Sequence, residues 1–532
     1  MCKIVIKVLT SIKISVIIIL IKGDFLLVFE RIFAMKKIIA FALVLTMLLS
    51  MSVFSASAAA WDGTTASASL KGDGTADSPY LVESAEDLKY IQVQVDAGTT
   101  FEGKYFKQTA DIDLNNKEWA PIGERTAKPF IGLYDGNGYK IVNFYQTFSY
   151  RFGGLFAYMT TAADFTPGLI NITLEGKMDG GSRVGDIYSG ALLGWTQQSN
   201  NNPNKILVAN CKVDVDMSFD STGKGITGDI IIAAVFARTG YAYITNCVNY
   251  GDISVIGDGS KLTVGGVVAY APDTDIINCV NYGKITAIGN NSPAKDNYVG
   301  GVIGTTATSK IANKIDNCIN FGVVHSESCN INYTGGTVGC SAAANTTITN
   351  CANVADVTAK SISTASLPYA GGVLGYSNKE GVAVIDSYNS GNIVTINENK
   401  TGHNPGGIVG VLNNAKDTTY MKNCTTTTAT FKGWMNAANP ATDCVAEADA
   451  AVITAAVKAI EDAINATTSV TLNGTEFKFA YEVPAAPETT EPAPETTAPS
   501  EGPSTGDSFV IFALIAVISV LGVAVVAKRR EN

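Results

Sequence analysis

The 532-residue chain carries 38 Lys and Arg against 48 Asp and Glu, a formal net charge of −10, and only 16% of its residues are charged. A nucleic-acid-binding surface needs a basic stripe, so this balance argues against a nucleic-acid partner. The apolar share of 46% is ample for a core, although part of it lies in two terminal segments that are not core.

The first 60 residues have the features of a leader followed by a secretory signal. From Met35 onward, two lysines, an apolar run and three alanines ending at 60 form the layout of a signal peptide over 35–60. We interpret 1–34 as a leader produced by a wrong start codon, because it adds a second apolar stretch ahead of a complete signal. The alternative is a long amino-terminal membrane segment.

The last 50 residues predict a stalk and a membrane anchor. Residues 484–507 are rich in Pro, Thr and Glu and predict an extended spacer without a core. Residues 508–527 contain no charge and predict a transmembrane helix of about 30 Å. The basic tail over 528–532 then predicts a carboxy terminus inside the cell, with the body outside.

The order of stalk, Pro503-Ser504-Thr505-Gly506, apolar helix and basic tail resembles the sorting signal of Gram-positive surface proteins. The resemblance implies that sortase cuts between Thr505 and Gly506 and links the threonine to peptidoglycan. Gly502 stands where the family has Leu, so retention in the cytoplasmic membrane is the alternative. Either outcome predicts an extracellular protein anchored to the cell surface.

Between the two ends, the sequence repeats a Gly-Gly-aliphatic unit. Its copies begin at residues 153, 190, 233, 265, 300, 335, 371 and 406. Spacing this regular is typical of a solenoid or a propeller. Each period holds three short β-branched segments, such as IINCVN, GKITAIG and YVGGVIG, with no helical periodicity between them. We therefore predict an all-β fold, a right-handed parallel β-helix of about eight three-stranded rungs.

The repeated unit also carries a family resemblance. Copies of GG-V-[VIL]-[GA], most of them preceded by a segment like I-x-N-C-x-N-x-G-x-I, resemble the GLUG-repeat proteins on the surfaces of gut and other Gram-positive anaerobes. The resemblance covers about 62–425 and implies solenoid repeats over 151–440 after an amino-terminal cap over 61–150. Members of this family are mostly inferred adhesins or surface antigens without an assigned ligand.

Residues 441–483 predict a helix and a hairpin. Four aliphatic residues recur at helical spacing, at steps of 4, 3 and 4: Ile453, Val457, Ile460 and Ile464. Asn473-Gly474 then lies between two β-prone segments and predicts a tight hairpin turn. Because the ends of a solenoid expose strand edges, we interpret this region as a carboxy-terminal cap, with a partner-binding helix as the alternative.

The motif NCVNYG occurs twice and NCINFG once, and a weaker copy follows. Asparagine and cysteine recur together at four positions of the array: Asn246 and Cys247, Asn278 and Cys279, Asn317 and Cys318, Asn350 and Cys351. No close C-x-x-C pair, the usual metal pattern, exists. Stacking would place successive cysteines about 5 Å apart, so we predict buried thiols in a ladder, with disulfides as the alternative. The asparagines predict a ladder of amide hydrogen bonds, and each rung is expected to turn between Asn and Cys.

Tyr250, Tyr282 and Phe321 occupy the same repeat position and predict an aromatic stack along one edge of the solenoid. The stack either packs inward or faces a ligand, such as a sugar or a peptide.

Candidates for catalysis are few. Asp111 and Asp113 would share one face of a strand about 6.8 Å apart, close to the carboxylate spacings of glycoside hydrolases, but polar residues on a solvent face give the same pattern. His325 and His403 are the only histidines, and neither is set beside a nucleophile. The glycine pairs open strands and lack the Lys-Ser/Thr of a phosphate loop.

These observations favour a non-enzymatic adhesin or ligand-binding protein that holds an extracellular glycan or protein on the solenoid surface. We expect neither a metal nor a cofactor. A carbohydrate-active β-helix enzyme, a lyase or a glycoside hydrolase, is the first alternative, and a structural surface spacer is the second.

Overall fold

The computed structural model describes residues 60–480 except 125, 199–203, 227, 291–294, 308–311, 363–366, 398–404, 415–418, 431 and 436–440. The predicted leader, stalk, sorting motif, transmembrane segment and basic tail lie outside these residues. The signal peptide before residue 60 and His403 also lie outside them. No helix within the described ranges is both long and apolar enough to cross a membrane.

Four parallel sheets, which we name A, B, C and D, run along the chain as stacks of short strands. Sheet A contains Tyr80–Val82, Tyr105–Gln108, Leu133–Asp135, Gly168–Ile170, Ile206–Ala209, Ala242–Thr245, Asp275–Ile277, Lys314–Asp316, Thr347–Thr349, Ala383–Ile385, Tyr420–Lys422 and Ala441–Thr442. Sheet B contains Ile112–Asp113, Lys140–Gln146, Thr173–Asp179, Lys212–Asp220, Val248–Asn249, Ile253–Asp258, Val280–Asn281, Ile285–Asn290, Ile319–Asn320, Val324–Ser328, Ala352–Asn353, Val357–Ser361, Tyr388–Asn389, Ile393–Asn397 and Thr425–Thr426.

The other two sheets are shorter. Sheet C contains Phe156–Thr160, Leu193–Gln197, Phe236–Arg238, Val268–Ala271, Ile303–Thr306, Val338–Ser341, Leu374–Ser377, Val409–Leu412 and Lys432–Met435. Sheet D contains Phe152–Gly153, Ile187–Gly190, Ile230–Ala233, Leu262–Gly265, Asn297–Gly300, Asn332–Gly335 and Pro368–Gly371. Among the described residues, the seven strands of sheet D define seven turns, and the eighth predicted unit joins sheet D by an isolated bridge between Gly371 and Gly406 and contributes Val409–Leu412 to sheet C.

These sheets confirm the all-β parallel solenoid, but the expected three-stranded rung is wrong. The chain visits the sheets in the order A, B, D, C in each full rung, so a rung has four sides. The segment IINCVN turns from sheet A to sheet B at Asn278, whose φ is 57°. The segment YVGGVIG likewise divides at Gly301 between sheet D and sheet C. The first segment therefore contains the corner that was expected between Asn and Cys, whereas the second, which was expected to be one strand, supplies two.

The core lies inside the four sheets and follows strand alternation. In Lys212–Asp220 the residues Val213, Val215, Met217 and Phe219 are buried, while the residues between them face outward. At the amino-terminal end, the helix α1, Ala85–Asp96, packs Leu88, Ile91 and Val95 into the same core. Its first turn is capped by Ser84, whose hydroxyl accepts a hydrogen bond from the Asp87 amide at 3.3 Å.

The predicted carboxy-terminal helix is α2, Ala450–Asn465, and its four expected aliphatic residues are buried. It does not cap the end of the solenoid. Its apolar face covers the outer side of sheet B at Val280, Ile319 and Ala352. These outward positions belong to successive rungs in register, so they form one apolar stripe that a straight helix can cover.

The hairpin Ser469–Leu472 and Thr475–Lys478 follows α2, and its turn residues Asn473 and Gly474 have φ of 52° and 79°, as a type I′ turn requires. Phe477 packs against Leu133 and Leu207 on the outer side of sheet A. The helix and the hairpin therefore lie against the outer sides of sheets B and A, and the expectation of a terminal cap is wrong.

A second asparagine column, which the sequence did not predict, stabilises the inside of the rungs. It consists of the fourth letter of NCVNYG and its equivalents, all fully buried: Asn249, Asn281, Asn320, Asn353 and Asn389. Asn281 donates to Asn320 Oδ1 at 2.8 Å, and Asn320 donates to Asn353 Oδ1 at 2.8 Å. The same amides also bond to a carbonyl two residues later, so Asn320 reaches Gly322 O at 2.8 Å.

This column explains why the asparagine motif is coupled to the glycine pairs. A Cβ atom on Gly301 would lie 2.1 Å from the carbonyl oxygen of Gly336 and 2.3 Å from the Asn320 side chain. Equivalent contacts connect Gly336 with Asn353. The second glycine of each pair therefore leaves the space that the asparagine amide fills, and no phosphate site is needed to explain it.

We predict that Asn320→Ala lowers the free energy of unfolding by about 3 kcal/mol, because Asn281 and Asn353 each lose a buried hydrogen-bond partner. Urea unfolding followed by circular dichroism measures this change. The matched control is Asn465→Ala, at an exposed site on α2, with an expected change within about 0.5 kcal/mol. Equal stability of the two variants would contradict a role for the column.

Candidate ligand-binding surfaces

The predicted Asn-Cys corners lie where sheet A turns into sheet B. The four asparagines have φ between 50° and 57°, in the left-handed region: Asn246, Asn278, Asn317 and Asn350. Asn tolerates this conformation better than most residues do. Asn278 donates to Asn246 Oδ1 and Asn317 donates to Asn278 Oδ1, both at 3.0 Å. Asn350 instead reaches Asp316 Oδ1 at 3.4 Å, so the predicted ladder continues there through a carboxylate.

The corner asparagines also bond to α2 and to the segment after the hairpin, which together we name the strap. Asn246 donates to the Ile464 carbonyl at 3.2 Å in the last turn of α2. Two rungs earlier, Asn171 accepts from the Ala480 amide at 3.0 Å, and one rung earlier the Asn210 side-chain amide donates to the Ala480 carbonyl at the same distance. The corner asparagines thus bond to neighbouring rungs and to the strap that crosses them.

The cysteines beside these asparagines are buried and form no disulfide: Cys247, Cys279, Cys318 and Cys351. Each thiol donates to the carbonyl two residues earlier, at 3.2–3.4 Å. Burial raises the pKa of Cys279 and of Cys351 well above the ordinary thiol value. Because the thiolate is the nucleophile and the metal ligand, Cys279 and Cys351 are structural.

Cys424 and Cys444, at the carboxy-terminal end of the cysteine column, differ from the other cysteines in exposure and in pKa. Cys424 is buried, whereas Cys444 is half-buried. A hydrogen bond from the Cys424 thiol lowers the pKa of Cys444 to about 7 and raises that of Cys424. Cys444 is therefore the thiol of this pair that solvent reagents reach in its reactive form.

The predicted aromatic stack exists and faces outward. The Tyr250 and Tyr282 rings lie 5.3 Å apart with an interplanar angle of 2°, and the Tyr282 and Phe321 rings lie 5.0 Å apart with an angle of 4°. Tyr250 is 46% exposed and Tyr282 is 43% exposed, while Phe321 is half-buried against the α2 cluster. The stack is thus an exposed ladder of flat rings with one ring per rung.

Carboxylates lie beside this stack. Burial and, after it, the negative charge of Asp214 raise the pKa of Tyr250. Burial and the charge of Glu461 on α2 raise the pKa of Tyr282. The exposed rings therefore have carboxylates near enough to act on them electrostatically, and an apolar surface with a few polar groups is typical of a ligand site.

A second aromatic surface lies where sheet D turns into sheet C, and we name it the D–C groove. A Cβ on Gly335 would lie 1.9 Å from the Val338 carbonyl oxygen on the opposite strand, so the outer faces of the two sheets approach each other here. Side chains from both sheets meet across the bend: the Tyr333 ring on sheet D lies 4.6 Å from the Tyr376 ring on sheet C. The sequence contained a signal for it, since an aromatic residue stands two positions before several glycine pairs.

The two catalytic candidates lie at the surface, and each accepts a hydrogen bond from the neighbouring strand Lys140–Gln146. Asp111 and Asp113 are both exposed on the outer face beside buried Ile112. Asp111 Oδ1 accepts from the Lys140 amide at 2.8 Å, and Asp113 Oδ1 accepts from the Asn143 side chain at 2.8 Å. These bonds fix two turns of the backbone and leave the pair with a structural use.

The described histidine, His325, contacts a glutamate on its own strand. His325 Nε2 lies 2.9 Å from Glu327 Oε1, whose other oxygen accepts from Lys360 at 3.2 Å. In the part of the chain that the structure describes, no group of three His, Cys, Asp or Glu side chains is arranged to hold a metal ion.

We predict that the cysteine column contains thiols only. With Cys2 replaced by Ser, a thiol titration in denaturant without reductant should give nine thiols, and the native protein should react at the two half-buried cysteines, Cys329 and Cys444. The rate at Cys444 should rise as the pH passes through about 7, because the thiolate forms there. Fewer than nine thiols in denaturant would show that disulfides bridge the column.

Two curated proteins match short parts of the chain, and no family model matches it. An alignment over 91 residues, which covers 15% of the chain and 1% of the relative, shows 37% identity to Halomucin of Haloquadratum walsbyi. An alignment over 80 residues, which covers 14% of the chain and 9% of the relative, shows 36% identity to a protein of Evansella cellulosilytica named "Putative Gly-rich membrane protein". The chain thus spans less than a tenth of either relative.

Among solved structures, the chain is similar to a crystal structure from Bacteroides ovatus described as a "putative immunoglobulin A1 protease". The sequence identity is 16% and the TM-score is 0.35, over 77% of this chain and 95% of that one. A likeness at this level carries no conclusion about activity.

Proposed function

We propose that the protein is a non-enzymatic, cell-surface ligand-binding protein that holds an extended glycan along the stack of Tyr250, Tyr282 and Phe321. The observation that carries the proposal is the outward orientation of the stacked rings, with nearly half of each tyrosine exposed. Exposed contiguous aromatic surface is costly in water and marks a binding site more often than a neutral surface.

The periodicity of the stack favours a glycan over a compact ligand. Successive rings follow the rungs of a parallel sheet, which are about 4.8 Å apart, close to the length of one pyranose unit in an extended chain. The exposed edges of the stacked rings can contact the apolar faces of successive sugars, and the nearby carboxylates of Asp214 and Glu461 can accept hydrogen bonds from the sugar hydroxyl groups. A protein ligand is the other outcome that a binding screen can return.

Display at the cell surface rests on the sequence patterns at the two ends. The signal-like segment over 35–60 and the apolar segment over 508–527 support an extracellular body held at the membrane. The resemblance of 503–506 to a sorting signal supports sortase as the processing enzyme and peptidoglycan as the attachment point. The resemblance of the repeats to GLUG proteins supports the same location.

We predict that Tyr250→Ala combined with Tyr282→Ala weakens glycan binding about tenfold or more, because two exposed aromatic contacts are lost. The melting temperature should change by only about 2 °C, since both rings are half exposed. Binding is measured on arrays of glycans and matrix proteins with the purified chain, and calorimetry measures the melting temperature.

The matched control is Tyr90→Ala, which removes a half-exposed tyrosine on α1 away from the stack. This control should bind like the original protein. A large loss of stability in the double variant without a separable binding defect would oppose the proposal. Polysaccharide cleavage assayed in the same samples tests the enzyme alternative, and turnover that disappears in Asp111→Asn would replace the proposal with that alternative.

A further inference from the structure

The first half of the D–C groove contains an aromatic cluster that is separate from the core of the solenoid. Phe152, Tyr158 and Tyr188 are buried on the outer side, and Trp195 and Tyr270 pack against them while half exposed. The Phe152 and Trp195 rings lie 5.0 Å apart, and the Tyr158 and Trp195 rings lie 5.3 Å apart. An apolar cluster outside the core needs an explanation of its own.

Arg238 lies at the centre of this cluster. It follows Trp195 and precedes Tyr270 in the outward column of sheet C, because strands pair Trp195 with Arg238 and Arg238 with Tyr270. The guanidinium carbon lies 5.0 Å from the Tyr270 ring centre, 5.3 Å from that of Tyr188 and 5.5 Å from that of Trp195. Three aromatic rings thus hold one cation by cation–π contact.

This cation has no carboxylate partner among the described residues. The neighbouring Arg151, which also contacts Tyr188, is neutralised by Asp186 at 3.1 Å, whereas Arg238 makes no salt bridge with a described acid. Burying part of a charge without a counterion costs free energy, and an external anion would recover it.

A pocket of about 440 Å³ opens next to Arg238. Its lining combines an aromatic wall with polar groups: Trp195, Gln197, Arg238, Thr239, Tyr241 and Asp273. The pocket is large enough for a small ring and has donors and acceptors around it, as ligand sites do. Among the lining residues named above, Asp273 is the one acid. Because its charge would repel an anionic group, such a group would bind on the Arg238 side of the pocket.

We propose that this pocket binds an acidic sugar residue of a glycan, with its carboxylate on Arg238 and its ring on Trp195. A guanidinium held flat by aromatic rings presents its N–H donors in a fixed plane, which matches the two oxygens of a carboxylate. The Trp195 ring supplies the apolar face, and the exposed Gln197 side chain supplies hydrogen-bonding groups for hydroxyls.

The site is independent of the tyrosine stack. It uses sheets C and D, whereas Tyr250 and Tyr282 follow strands of sheet B. This pocket therefore goes beyond the proposed function. Loss of binding at one of the two surfaces would leave binding at the other intact.

The test uses the full chain and two acidic probes, a galacturonic acid tetramer and sialyllactose, each against its neutral counterpart, the methyl-esterified tetramer and lactose. Titration calorimetry at fixed salt should give an affinity at least about tenfold higher for an acidic probe than for its counterpart. In Arg238→Gln this difference should disappear. Arg238→Lys should recover only part of it, because lysine keeps the charge and loses the planar pair of donors.

Arg151→Gln is the matched control, since Asp186 already neutralises this arginine, and it should keep the preference for acidic probes. The double variant of Tyr250 and Tyr282 should also keep it, which separates this test from that of the tyrosine stack. Equal affinity for acidic and neutral probes, or the absence of binding to both acidic probes, would overturn the proposal. An unchanged preference in Arg238→Gln, or displacement of the sugar by an acidic peptide with higher affinity, would do the same.

Discussion

The structure depends on in-register stacking of parallel strands from one rung to the next. When strands pair in register, each repeat position becomes a column along the solenoid, as Ile244, Ile276 and Ile315 do in sheet A. A column repeats one chemical group about every 4.8 Å, so any conflict within it is repeated as well. Each column must therefore satisfy its own hydrogen bonds and its own packing.

Inward and outward columns satisfy their hydrogen bonds and packing in different ways. Asparagine amides bond to the next asparagine in the column, and cysteines fill small apolar spaces while their thiols bond to carbonyls. In outward columns, solvent can satisfy polar groups, so these columns can hold exposed aromatic or charged side chains. Examples are the stacked rings of Tyr250 and Tyr282 and the guanidinium of Arg238. The inward faces of the strands thus stabilise the fold, and the outward faces carry the surfaces proposed to bind ligands.

The sequence predicted the columns better than the shape of the rung. Spacing alone identified the parallel solenoid, the corner at Asn278 and the apolar face of α2, since each follows from a local repeat. The sharp bend at the glycine pairs was not predicted, because a run such as YVGGVIG has the composition of one strand. Only the contact of Gly301 with Asn320, two segments that are separate in sequence, explains the turn.

The same limit applies to the candidate sites. The tyrosine stack was found because its members share one repeat position, but its exposure depends on where α2 lies, and that is set by contacts between segments far apart in the sequence. Arg238 and Trp195 were missed because their partners come from neighbouring rungs and their repeat position holds other residues elsewhere. The helix α1 was also missed, although Ser84 with Asp87 and the spacing of Leu88, Ile91 and Val95 indicate a capped amphipathic helix.

Spin labels on an in-register pair test the stacking most directly. Ser254 and Thr286 are opposite each other on the outer side of sheet B, and each is half exposed. With Cys2, Cys329 and Cys444 replaced by serine, labels at Ser254→Cys and Thr286→Cys should lie about 4.8 Å apart at the backbone and broaden the spectrum strongly by spin–spin interaction. Labels at Ser254→Cys and His325→Cys, two rungs apart, should broaden it much less. Equal spectra for the two pairs would contradict the stacking on which the columns, and both binding surfaces, depend.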